Sequence, residues 1–264
     1  MSKPFGTDDM AAGYATSRPP VHPRVVERAF QQLGRTEPFQ RALDVGCGAG
    51  VSTRALTGFA KHCIGLEPAE AMLKWVSSIA PSADFVVGAA EAIPLQDRVV
   101  DLITAAGSLN YANLDLFLPE AARVLAPRGV LVVYDFSPGR SFRNTTSLDE
   151  WFSSFHRRYP PPANEGRELS PQILAKILSE LNSGFRLHTR QQFEIGVSLT
   201  PEFYLDYVMT ETNVASAVRS GVPHVEIKSW CAQTLAPVWM GSEREVLFRG
   251  YFVCMGLTAP DKAR

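Results

Sequence analysis

The chain has 264 residues, 45% of them hydrophobic and 20% charged, with a formal net charge of −1. That length allows one large domain or one domain with an insertion, with enough apolar residues for a sizeable core. The near-neutral balance argues against a protein built to coat nucleic acid or an anionic membrane. No apolar run approaches the ~18 residues that a bilayer span needs.

Four widely spaced cysteines, Cys47, Cys63, Cys231 and Cys254, form no CxxC pair. They signal neither a zinc site nor a disulfide framework and read as small core residues. The N-terminal MSKPFGTDDM lacks the basic-then-apolar build of a signal peptide, so a soluble cytoplasmic protein is expected.

In chain order, residues 20–34 (PVHPRVVERAFQQLG) have a helical pattern, followed by a strand at 41–45 (RALDV). Helical patterns at 51–60, 69–80 and 114–127 then alternate with strands at 62–67, 84–88, 99–106 and 129–136. Near-continuous apolar strands separated by helices imply a parallel sheet covered on both faces. The proline cluster RRYPPPANEGRE at 157–168 reads as a loop or hinge. A helix is expected over 170–182, with Ser170 as cap and Pro171 at the first helical position. A strand from about Phe185 to Gly196, helical pieces over 200–240 and a long strand at 245–257 complete the reading. Phe203, Tyr204, Tyr207, Trp230 and Trp239 read as core of the helical region, with substrate contact as the alternative.

The stretch ALDVGCGAGVST carries the chemistry. Gly46, Gly48 and Gly50 follow the first strand, where glycine lets the chain turn tightly and a ligand touch the main chain. In doubly wound sheets ligands sit at the carboxyl ends of the strands. A dinucleotide site would show GxGxxG, whereas here the spacing is GxGxG and Val51 takes the third glycine's place. Asp44 directly before the loop suits a cationic ligand better than a pyrophosphate. Glu67 ends the second strand, where an acid can accept hydrogen bonds from ribose hydroxyls. An ammonium-seeking acid followed by a ribose-seeking acid describes S-adenosylmethionine.

Four segments occur in order: LDVGCGAG, IGLEPAEAML, GAAEAIPLQDRVVDLITA and LPEAARVLAPRGVLVVYD. Together they resemble the class I S-adenosylmethionine-dependent methyltransferases, in particular the type 11 small-molecule branch. YATSRPPVHP at 14–23 is similar to a YxxxRPxYP segment of relatives of trans-aconitate methyltransferase. The resemblance implies an α/β, Rossmann-like, doubly wound fold: a seven-stranded, mostly parallel sheet with an antiparallel last strand and a helical insertion before it. It implies a single domain over 1–264. Residues 1–35 would be an N-terminal cap, 36–136 the cofactor-binding half, and 137–264 a substrate-side half with its insertion at about 197–243.

The same resemblance implies site roles. Gly46, Cys47, Gly48 and Gly50 would line the methionine part of S-adenosyl-L-methionine, with Asp44 acting near its ammonium by field and through water. Glu67 would hold the ribose, Pro68 or Ala69 would pack on the adenine, and Ala90 and Glu91 would lie beside that ring. Many relatives carry an aspartate where this chain has Ala89, so backbone or water is expected to take its place. Tyr14 and Arg18 would fold over the methionine end, and Ala106 to Ser108 would face the sulfonium.

Methyl transfer from a sulfonium is an in-line displacement that needs position and a dry cavity, and no metal. A base is required only where the acceptor loses a proton. Among the histidines, His62 and His188 fall in or beside strands and His224 opens a helix. His22 lies near the cofactor-side N-terminal segment, and His156 follows the fifth strand, where substrate-facing segments lie. His156 is the candidate base, and Tyr111, just past the fourth strand, a candidate for orienting the acceptor. Enzymes acting on exocyclic amines of nucleobases carry an (Asn/Asp/Ser)-Pro-Pro-(Tyr/Phe) run after that strand; AGSLNYAN stands there instead. The expected partner is a small organic methyl acceptor, without DNA, for a monomer or homodimer. The alternatives are a tRNA or protein methyltransferase and a catalytically silent cofactor-binding module.

Overall fold

The computed structural model describes residues 17–162, 169–180 and 184–258. They form two compact units. One holds the described parts of 22–136, 166–193 and 250–258, and the other those of 17–21, 137–165 and 194–249.

The first unit opens with α1 (His22–Gln32), whose buried face is His22, Val25, Val26, Ala29 and Phe30. Next come β1 (Phe39–Val45), α2 (Val51–Leu56), β2 (Ala60–Glu67), the short α3 (Glu70–Leu73) and α4 (Val76–Ile79), and β3 (Asp84–Val87). Then β4 (Val100–Ala106), a 3-10 turn (Ser108–Asn110), α5 (Leu114–Val124) and β5 (Leu125–Phe136) follow. Strand β2 lies between β1 and β3, all parallel, and β1 and β5 flank β4 in parallel. Later in the chain, α7 (Pro171–Glu180) and β7 (Phe185–Leu199) lead toward β8 (Arg244–Leu257). Strand β8 pairs antiparallel with β5, with Asp135 opposite Tyr251, and β7 pairs with β8.

The expected mostly parallel sheet with an antiparallel last strand is present, but with eight strands rather than seven. The additional strand is β6 (Ser141–Phe142), in the second unit, where it pairs with Val246 and Leu247 of β8. Two residues are too few to show a period in sequence.

The apolar strands work as expected. Leu43, Val45, Ile103, Ala105, Leu131 and Val133 join Phe117, Ala121 and Val124 in one buried cluster. Helix α5 reaches it because residues 114, 117, 118, 121 and 124 share one face at helical spacing. Its Asn113 cap accepts a hydrogen bond from the Asp115 N–H at 3.1 Å.

Two expectations change. The helix over 69–80 is split into α3 and α4 at Lys74 and Trp75, where the Trp75 N–H closes a tighter three-residue bond to the Met72 carbonyl at 3.3 Å. Strand β5 begins at Leu125 rather than 129, and the register jumps from Val100↔Leu125 to Leu102↔Val130. Pro127 falls in the skipped segment, where its missing N–H leaves nothing for the ladder.

The second unit carries α6 (Ser147–Arg158), α8 (Pro201–Val208), α9 (Thr212–Arg219) and α10 (His224–Trp239). Thr200 caps α8 by accepting from the Phe203 N–H at 3.2 Å, with Pro201 at the first helical position. Tyr204, Tyr207 and Trp239 are at most 1% exposed, which makes them core of the insertion. The Tyr204 and Trp239 rings lie 5.0 Å apart, and Trp151 stacks on Phe155 at 5.4 Å.

Candidate cofactor site

The carboxyl end of β1 runs into a loop held from below. The N–H groups of Gly46 and Cys47 both donate to the Leu66 carbonyl, at 2.8 and 3.0 Å, which ties the loop to β2. Gly46, Gly48 and Gly50 have φ of +70°, +55° and +90°, a region that favours glycine. At Gly46 the neighbour adds a second demand, since a Cβ there would overlap the Cβ of Ser108. Ser108 is fixed in turn, its hydroxyl donating to the Val45 carbonyl at 2.5 Å. The loop after β1 and the turn after β4 are therefore in direct contact.

Asp44 lies under this loop and is fully buried. Its Oδ2 accepts from the hydroxyls of Ser52 (2.6 Å) and Thr53 (2.7 Å), and its Oδ1 accepts from Thr104 (3.0 Å). One carboxylate thus links β1, the first turn of α2 and β4. Burial pushes its pKa above the usual carboxylate range, with the three hydroxyl bonds opposing the shift. Any influence of Asp44 on a bound ligand is exerted by field or water, because its oxygens face protein hydroxyls.

Glu67 ends β2 and turns its carboxylate across the loop. Its Oε2 accepts from the Gly48 N–H at 3.1 Å and its Oε1 from the Ala69 N–H at 2.9 Å. A carboxylate oxygen has two lone pairs, so each can accept more than one hydrogen bond. Glu67→Ala is expected to weaken cofactor binding by about 1–3 kcal/mol through the lost polar partner. Titration calorimetry checks this, and unchanged affinity would remove Glu67 from the site.

The remaining sequence candidates are distributed as follows. The Cys47 side chain is buried, beside where a Cβ on Gly65 would stand, and burial holds its thiol far above the usual range, so it is chemically inert. Pro68 is exposed, Ala90 is half-buried, and Ala106 pairs in register with Tyr134. Glu91 accepts from the Asn113 N–H at 2.7 Å, at the start of α5. Tyr111 is 55% exposed, and its N–H bonds the Ser108 carbonyl at 3.1 Å. Tyr14 lies outside the described residues. Arg18 and His156 belong to the second unit: Arg18 stands over the Tyr207 ring at 5.3 Å, and His156 packs edge-on against Phe152 at 5.9 Å. His188 serves β7–β8 packing, its Nε2 standing where a Cβ on Gly256 would fall.

Two polar groups at the carboxyl end of β5 carried no assigned role in the sequence. His22 Nδ1 is 2.9 Å from the Tyr134 hydroxyl, with both side chains buried. Asp135 Oδ2 accepts from Asn110 Nδ2 at 2.8 Å, and Oδ1 accepts from the Phe136 N–H at 2.8 Å. Asn110 Oδ1 also accepts from the Leu169 N–H at 3.1 Å, which fixes the amide. An acid ending a strand, as Asp44 ends β1, was the available signal for Asp135.

A parallel α/β sheet with a glycine loop after β1, an acid closing β2 and a tight turn after β4 defines a nucleoside-cofactor-binding fold of the methyltransferase type. Residues 43–133 match the family described as "Methyltransferase domain". A protein of Dictyostelium discoideum described as a methyltransferase is 33% identical over 184 residues, covering 68% of this chain and 67% of that one. An uncharacterized methyltransferase of Mycobacterium tuberculosis is 30% identical over 131 residues, so the chain spans 51% of its length. A solved structure from Anaeromyxobacter dehalogenans, described as a type II methyltransferase, has the same fold, with a TM-score of 0.65 at 22% identity. It covers 88% of this chain and 96% of its own. The chain belongs to the class I S-adenosylmethionine-dependent methyltransferases, and its cofactor is S-adenosyl-L-methionine.

Proposed function

We propose that the protein transfers the cofactor's methyl group to a small organic acceptor. The cofactor supplies an electrophilic methyl on a sulfonium that leaves as a neutral thioether. The loop of Gly46, Cys47, Gly48 and Gly50 lies along the methionine part, and Glu67 holds the ribose. Asp44 keeps β1, α2 and β4 in the arrangement that shapes the loop, and Ala106 to Ser108 border the reacting methyl. Pro68, Ala90 and Glu91 flank the base.

The observation that carries the acceptor class is the turn after β4. It is a 3-10 turn of Ser108, Leu109 and Asn110 followed by exposed Tyr111, with no proline pair to clasp a planar exocyclic amine. The formal charge of −1 adds no electrostatic footprint for a DNA partner. On the first unit Tyr111 orients the acceptor or takes its proton, with His22 and Asp135 as further polar groups near the end of β5; on the second unit His156 is the candidate base.

The test uses S-adenosylmethionine labelled in the methyl group, incubated with cell extract and the protein, with label followed separately into low-mass organic material, tRNA and protein. Label in the low-mass fraction is the expected result. Label confined to tRNA or protein would reassign the acceptor. Tight cofactor binding without transfer to any fraction would reduce the chain to a binding module.

A further inference from the structure

Helix α5 touches two segments placed at the cofactor. The turn of Ser108 to Asn110 precedes it, and the Ser108 hydroxyl bonds the Val45 carbonyl at the start of the glycine loop. The connection from β3 to β4, which carries Ala90 and Glu91, runs beside it without a helix or strand of its own. From Glu91 onward that connection is bonded to α5. Glu91 Oε1 accepts from the Asn113 N–H at 2.7 Å, and the Ile93 N–H donates to Glu120 Oε2 at 2.8 Å. The N–H groups of Arg98 and Val99 donate to the carbonyls of Arg123 and Val124, both at 2.9 Å.

Arg123 makes most of this attachment. A guanidinium presents five N–H donors in a planar fork. Arg123 Nη2 donates to the Ile93 carbonyl at 2.8 Å, and Nη1 donates to the Leu95 carbonyl at 2.7 Å and to Asp97 Oδ1 at 2.9 Å. Nε and Nη2 each donate to one oxygen of Glu120, at 2.8 Å. Glu120 lies three residues earlier on α5, so helical spacing sets the pair. The hydrogen bond from Arg123 holds the Glu120 carboxyl below the usual carboxylate range, which keeps the pair ionised at neutral pH. Arg98 and Val99 precede the start of β4, whereas the glycine loop follows the end of β1, and these strands are parallel neighbours. Arg123 therefore stands toward the opposite end of the sheet from the loop, and acts on a ligand there only through the segment it holds.

We propose that Arg123, together with Glu120, is a positioning residue for the methyl donor. The pair fixes the course of residues 91–97, and with it the placement of Ala90 and Glu91, so cofactor affinity depends on a guanidinium that the ligand does not meet. The inference rests on the placement of the cofactor given above. Charge-assisted bonds to two main-chain carbonyls fix an irregular segment more firmly than neutral ones do.

The test is calorimetry with S-adenosyl-L-homocysteine, which needs no methyl acceptor, beside urea unfolding of each variant. Under conditions where the variant is fully folded, Arg123→Ala is expected to weaken binding by about ten-fold or more, as displaced binding groups do. Arg123→Lys keeps the charge without the fork and is expected to fall between Arg123→Ala and wild type. Glu120→Gln, which keeps the shape of the pair, is also expected to weaken binding and gives the reading should Arg123→Ala fold poorly. Val253→Ala, which opens the same core cluster at β8, is the control for lost stability and is expected to bind as wild type does. Arg123→Ala and Glu120→Gln proteins that lose stability yet bind with wild-type affinity would overturn the proposal, and so would equal weakening by Val253→Ala. Wild-type protein that bound no S-adenosylhomocysteine would refute the cofactor placement itself, and this inference with it.

Discussion

Asp44→Ala is expected to lower the stability of the fold by about 2–4 kcal/mol. The carboxylate is fully buried and accepts from Ser52, Thr53 and Thr104, so its removal strands three buried hydroxyls at once. Asp44→Asn keeps the shape and one carbonyl oxygen, and is expected to cost less. The pH dependence of the difference follows from burial, which raises the folded-state pKa above the ordinary value of about 4. Between those two values the folded protein holds a proton that the unfolded chain has released, so this group's contribution to stability falls as pH rises through the window. Asparagine does not titrate. The stability deficit of Asp44→Asn against wild type is therefore expected to narrow as pH rises from the acidic range toward neutrality. Urea unfolding at a series of pH values checks this, and a deficit that widens with pH would contradict the buried, raised carboxyl.

The same residue shows how far the sequence could be read. The position of Asp44 and Glu67 at strand ends was legible because apolar runs and glycine spacing are local signals. What each carboxylate touches was not, because Thr104 is 60 residues from Asp44 and the Gly48 N–H is 19 residues from Glu67. The acid read as acting on a ligand ammonium by field and through water is also, in three dimensions, the link joining two strands and a helix. The His22–Tyr134 pair, 112 residues apart, and Asn110–Asp135, 25 apart, escaped notice for the same reason. The break between α3 and α4 was lost because one tight turn, as at Trp75, is shorter than the period that apolar spacing reports. Strand β6 was lost to its length, since two residues have no alternation to detect.

The glycines of the loop were legible as a demand on the backbone, and the structure divides that demand into two parts that mutation separates. Gly34 and Gly46 have nearly the same φ, +62° and +70°. A Cβ on Gly34 would meet nothing within 4 Å, whereas one on Gly46 would overlap Ser108. Gly34→Ala is therefore expected to cost only backbone strain, about 1–2 kcal/mol. Gly46→Ala adds overpacking against Ser108, for a total of about 2–4 kcal/mol, and is expected to abolish cofactor binding by forcing the loop from β4. The contact lies chiefly at the Ser108 Cβ. Ser108→Gly in the Gly46→Ala background should recover the overpacking part, while Ser108→Ala, which retains the Cβ, should not. Equilibrium unfolding of the two double-mutant cycles, one for each Ser108 variant, measures the coupling. Equal behaviour of the two Ser108 variants would mean that the loop's glycine serves backbone conformation alone, and that the contact between the ends of β1 and β4 does not shape the cofactor site.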